Sequence, residues 1–133
     1  MIKTITLWAA MIAIAVGVSG AATGRQKKRS ASPIDNIAAG KMVFEKNCLT
    51  CHGPGIGNPG NAYKPGTDAL RVKYDGEQSG LLTERKDLTP ELVEYFVRNG
   101  VSTMAFFRKT EISDQDMKNL GAYLSRNNPD LKK

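Results

Sequence analysis

Apolar positions recur at helical spacing in four stretches, with Gly/Pro-rich or charged segments between them. Ile37, Gly40, Phe44 and Cys48 lie on one face of a helix predicted from about Ser32–Asn36 to Cys48. Pro33 suits a first turn after Ser32, and Asp35 or Asn36 is an equally good cap. Thr67 and Asp68 can cap a short helix through about Tyr74, with Ala69, Leu70 and Val72 apolar and Asp75-Gly76 as its stop. Residues 77–87 mix charges with Leu81 and Leu82 without a period, which predicts a loop with room for one helical turn. Thr89-Pro90-Glu91 opens a helix with a cap, a proline at its first position and an acid in its first turn. Leu92, Val93, Phe96 and Val97 are its stripe, and Asn99-Gly100 ends it.

A loop follows from Val101 to Ile112. Ser113-Asp114-Gln115-Asp116 then gives an acidic capping box, with Ile112 and Met117 placed as a hydrophobic staple. Met117, Leu120, Gly121 and Leu124 continue that face until Asn127-Asn128-Pro129, after which a short basic tail remains. Gly40 costs about 1 kcal/mol relative to Ala inside a helix; a close crossing by a second helix would account for it, the alternative being a tolerated Gly on a surface helix. No stretch reads convincingly as a strand, so the expected class is all-α.

The N-terminus is different. Lys3 precedes an almost wholly apolar run from Ile5 to Val18, and Ser19-Gly20-Ala21 supplies small residues for a signal peptidase. Residues 1–21 therefore read as a signal peptide cleaved near Ala21 or Ala22, the alternative being a retained membrane anchor. The run is shorter than the roughly 20 residues of a spanning helix, so no membrane span is expected after cleavage. Export makes a periplasmic location the expectation. The formal charge of +6 comes from 19 basic and 13 acidic residues. Arg25, Lys27, Lys28 and Arg29 concentrate the excess in a flexible segment over 22–33, leaving 34–133 as the single domain. From Ser30 onward the balance is nearly even, with no recognition motif, so nucleic acid is not an expected partner.

The chemistry concentrates at Cys48-Leu49-Thr50-Cys51-His52. C-x-x-C-H is the attachment pattern of c-type haem. Positions i, i+3 and i+4 share one face of a helical turn. Cys48 and Cys51 can then bond two vinyl groups as thioethers while His52 offers a nitrogen to the iron. A thioredoxin-type dithiol belongs in a βαβ context, which is missing here. A structural zinc site takes four ligands, and the chain has two cysteines and one histidine.

Gly53 to Gly66 is Gly/Pro-rich and predicts a loop wrapping the proximal side of the haem. One of its carbonyls, with Pro59 a candidate, would accept the second N–H of His52. For the sixth position, Met42 lies on the first helix ahead of Cys48, and Met117 is taken by the staple. Met104 sits in the irregular loop Ser102-Thr103-Met104-Ala105-Phe106-Phe107 and is the candidate ligand. Packing beside Phe106 and Phe107 as a core filler is the competing use of the same side chain. His52 is the only histidine, so bis-histidine ligation within one chain is excluded.

The order of parts resembles the class I cytochromes c over residues 34 to 127. In that family a Gly and an aromatic on the first helix meet an aliphatic and an aromatic on the last, matched here by Gly40, Phe44, Leu120 and Tyr123. The resemblance implies a class I cytochrome c fold of about four to five helices around one covalently bound haem c. It also implies one-electron transfer with His52 and Met104 as axial ligands. Val97-Arg98-Asn99-Gly100, Met104 and Phe107 resemble, more narrowly, the cytochrome subunit of p-cresol methylhydroxylase-type flavocytochromes. There the cytochrome takes electrons from a flavin subunit oxidising 4-alkylphenols. The family usually has Pro after its Met ligand, where this chain has Ala105. The implied partners are a flavoprotein or other dehydrogenase as donor and an oxidase or another cytochrome as acceptor. Two other classes stand beside this one: a haem enzyme or gas sensor with an open sixth position, and a haem-free thiol oxidoreductase.

Overall fold

The computed structural model describes residues 32–57 and 61–132. The expected signal peptide and nearly all of the basic segment fall outside the described residues, as does Pro59. Five α-helices follow in order: α1 (Pro33–Asn47), α2 (Leu49–His52), α3 (Pro65–Tyr74), α4 (Pro90–Asn99) and α5 (Asp114–Leu124). A 3-10 turn spans Pro129–Lys132. The architecture is mostly helical, as the sequence implies. Among the described residues no helix is long and apolar enough to cross a membrane.

One feature contradicts the strand-free expectation. The Gly/Pro segment holds a short antiparallel hairpin, β1 (Pro54–Gly57) against β2 (Asn61–Tyr63). Strands of four and three residues, two of them glycines and one a proline, are too short to display an alternating pattern.

The scaffold is the crossing of α1 and α5. Ser32 caps α1 in a full capping box: Asp35 N–H donates to its hydroxyl (3.2 Å), and Ser32 N–H donates to the Asp35 carboxylate (3.0 Å). At the crossing Gly40 is buried directly against α5. One turn on, the Phe44 ring meets Tyr123 at 5.8 Å between centroids, tilted by 50°. Leu120 and Phe44 are essentially sealed from solvent, each contributing roughly 1.5–3 kcal/mol of burial. Val93 and Val97 of α4, with Leu88, Ile112, Met117 and Leu124, complete the core. Ile37, expected on the inner stripe of α1, is exposed because the crossing engages only the turns from Gly40 onward. Leu92 likewise lies at the outer margin of α4.

Two segments are held by side chains rather than by regular structure. Thr67, expected as a helix cap, is fully buried inside the first turn of α3 and donates its hydroxyl to Gly53 O (2.9 Å). The N-cap is instead Lys64, with Pro65 opening the helix. Residues 77–89 carry no α-helix, as expected, and are moored by the end of the chain. Arg126 and Asn127 both donate to Thr83 O (2.9 and 2.8 Å), and the buried Asn128 donates to Leu88 O (2.9 Å). Asn127-Asn128 therefore does more than end a helix.

Candidate haem site

Cys48 closes α1 and opens α2: its N–H donates to Phe44 O (2.8 Å), while its own carbonyl accepts from Cys51 N (3.0 Å) and His52 N (2.8 Å). These bonds fold Cys48 through His52 into one turn of helix, the i, i+3, i+4 arrangement that puts three side chains on one face. Both cysteines are free thiols, Cys48 half-buried and Cys51 exposed.

The electrostatics of this turn discriminate between chemistries. Burial, with a smaller push from Cys51, raises the Cys48 thiol to about 11. Catalytic dithiols carry a lowered thiol, so Cys48 itself lacks the activation that a nucleophilic role needs. Burial also pulls His52 below its ordinary value, keeping the imidazole neutral, the form that binds a metal. Among the described residues no group of three or more His, Cys, Asp or Glu is placed to hold a bare metal ion.

His52 Nδ1 is buried with no hydrogen-bond partner among the described residues. A Cβ placed on Gly66 would come within 2.8 Å of His52 Cε1 and 3.0 Å of Nδ1, so a bare backbone there is what lets the ring approach α3 this closely. The bond expected from Pro59 lies outside the described residues. A shielded neutral imidazole beside two free thiols on one turn fits the donor set of a covalently attached haem. Apolar side chains neighbouring both candidate segments (Leu49, Ile56, Val101 and Phe106) are exposed, which suits a macrocycle that must be covered by apolar groups.

Met104 sits between α4 and α5, where Met104 N–H donates to Val101 O (2.9 Å) and Val101 N–H to Met104 O (3.1 Å). Its side chain is half-buried and packs against the same apolar core as Cys48 and Phe107. The structure thus unites Cys48, Cys51 and His52 on one turn and brings Met104 to the core that Cys48 also flanks. A surface cleft of about 420 Å³ near Tyr63, Arg71, Gln78 and Glu84 includes none of the four.

Two contributors escape the hydrophobic pattern. Gly100 ends α4 at φ 70°, ψ 173°, a region essentially reserved for glycine, and a Cβ there would stand 2.6 Å from Met104 O. Gly100→Ala is expected to destabilise the protein by about 1–3 kcal/mol, measured as a lower unfolding midpoint in denaturant. The second is Arg98, whose guanidinium reaches the Phe107 and Ile112 carbonyls. A basic residue in a last helical turn is a known donor to carbonyls, but its sequence position does not say which ones.

A helical domain that crosses its first and last helices through a glycine and carries a two-thiol, one-imidazole turn defines a class I c-type cytochrome. Comparison with known proteins agrees. The family described as cytochrome c oxidase, cbb3-type, subunit III, matches residues 35–124. Cytochrome c6 of Picosynechococcus sp. is 37% identical over 94 residues, covering 68% of this chain and 72% of that protein. No solved structure matches the chain. The chain belongs to the c-type cytochrome family: it carries covalently bound haem c and serves electron transport between redox proteins.

Proposed function

We propose that Cys48 and Cys51 form the two thioether links, that His52 and Met104 are the axial ligands, and that the protein is a periplasmic one-electron carrier serving a dehydrogenase. The carrying observation is the single helical turn that fixes both thiols and the imidazole, with Met104 on a loop packed against the same core. Bound haem supplies a one-electron couple at its iron. The chain's part is to hold ligands that need not move between oxidation states. His52 is kept neutral by burial and backed by Gly66, and Met104 contributes a soft thioether that favours a raised potential. Contacts between redox partners of this kind are typically small and transient.

For the donor, the resemblance of Val97-Arg98-Asn99-Gly100, Met104 and Phe107 supports a flavoprotein that oxidises phenolic compounds. Co-purification of the native cytochrome with a flavoprotein, and reduction of the cytochrome when a 4-alkylphenol is added to that complex, tests this assignment. Reduction by other dehydrogenases alone counts against it.

The ligand set is tested by Met104→Ala. The unsubstituted ferric protein is expected to show the thioether-to-iron absorption band near the red end of the visible spectrum, and its reduced form to resist carbon monoxide. The variant is expected to lose the band and to bind carbon monoxide. Carbon monoxide binding by the unsubstituted protein would favour an enzyme or gas sensor with an open site.

A further inference from the structure

We propose that Arg98 is a positioning residue for the iron: it fixes the far end of the loop that carries Met104 and so sets how firmly that thioether stays bound. This rests on the reading of Met104 as the sixth ligand.

The loop leaves and rejoins the same helix. At its start Gly100 N–H donates to Phe96 O (2.8 Å); at its end Phe107 N–H donates to Val97 O (2.8 Å). Val101 and Met104 bond each other across the middle, leaving the Met104 side chain near the apex. The return strand has no helix or sheet to continue it, so its course depends on what holds the carbonyls beyond Val97. Arg98 does this. One nitrogen, Nη1, donates to Phe107 O (3.1 Å) and to Ile112 O (2.8 Å), while Nη2 pairs with Asp114 in the first turn of α5 (3.3 Å). Between those two carbonyls, residues 108–112 form a closed turn, with Glu111 N–H and Ile112 N–H on Arg108 O and Arg108 N–H on the Glu111 carboxylate. The guanidinium therefore ties together α4, the end of the methionine loop, a compact turn and the start of α5.

The side chain is only 16% exposed, and its Nε–H is buried without a partner among the described residues. Its two terminal nitrogens are committed to the two carbonyls and to Asp114. Phe107 is the pivot, because its N–H is fixed by α4 and its C=O by Arg98. Without the second bond the peptide after Phe107 is held only by the Arg108 N–H on the Glu111 carboxylate, and Met104 lies three residues upstream. Lysine is an incomplete replacement: its ammonium is a compact point charge on a flexible stem, without the rigid planar group that keeps Nη1 aimed at both carbonyls.

The test uses the holoprotein and three variants. In Arg98→Met and Arg98→Lys, exogenous imidazole is expected to displace the thioether roughly tenfold more readily, the loss of one or two charge-assisted bonds to the loop. The thioether-to-iron band should then disappear on heating before the helical circular dichroism does. Asp114→Asn, which weakens the ion pair but leaves both carbonyl bonds, should match the unsubstituted protein in imidazole affinity. If Arg98→Met does not accumulate, Arg98→Lys alone carries the comparison. Unchanged imidazole affinity in the Arg98 variants, with band and helices lost together at a lower temperature, would make Arg98 a structural residue only and overturn the proposal. A missing band in the unsubstituted protein would instead overturn the Met104 reading and this inference with it.

Discussion

Gly40→Ala is expected to destabilise the protein by about 3 kcal/mol, a fall of roughly 12 °C or more in melting temperature for a domain of this size. Two opposed effects meet at this position. In an isolated helix the substitution is favourable by about 1 kcal/mol, since alanine is the better helix former. In the folded protein the added carbon would stand 1.9 Å from Asn119 O and 2.7 Å from Tyr123 Cβ. The first of these is backbone and has no rotamer by which to escape, so α1 and α5 must separate. That separation also loosens the Phe44–Tyr123 contact one turn away. The clash therefore wins. Thermal or denaturant unfolding of the holoprotein decides it, and a variant as stable as the parent would mean that the helices do not approach this closely.

Cys48→Ser combined with Cys51→Ser is expected to abolish covalent retention of haem altogether. The denatured parent chain should carry the mass of the haem and keep its colour after acid–acetone extraction. The doubly substituted chain should have the mass of the polypeptide alone. His52 is left in place, so any haem that remains under native conditions is held by coordination and by the apolar surface. Recovery of an unmodified parent polypeptide from the envelope of the native host would remove the basis for assigning the two thioethers.

How much of this was legible in advance depended on the range of the interaction. The helical turn at Cys48–His52 could be read directly, because the chemistry demands three residues at fixed short spacing. The α1–α5 crossing was legible in part: Gly40, anomalous in a helix interior, pointed to a close approach by some helix, and only the resemblance to the class I cytochromes c named Leu120 and Tyr123 of the last helix as the partner. Periodicity alone did less well. It put Ile37 on the inner stripe, although the crossing begins one turn later. It could not see the paired strands Pro54–Gly57 and Asn61–Tyr63, which hold too few side chains to alternate. Thr67 had the composition of a cap, yet its hydroxyl serves a carbonyl fourteen residues away. Arg98 stood in the last turn of α4 and in the stretch Val97-Arg98-Asn99-Gly100, but neither named its partners, because a guanidinium bonded to carbonyls nine and fourteen residues ahead leaves no periodic trace. Such long-range side-chain bonds to the backbone are what local sequence rules do not encode.

The mooring of residues 77–89 by Arg126, Asn127 and Asn128 has a consequence for the order of events. A polypeptide is delivered from its amino end, so the turn with the two thiols emerges some seventy-five residues before the groups that settle the middle of the molecule. α1 also waits for its partner α5, which comes near the end. The thiols thus precede the packing that half-buries Cys48, and the window between the two is when a modifying enzyme would find that sulfur unobstructed.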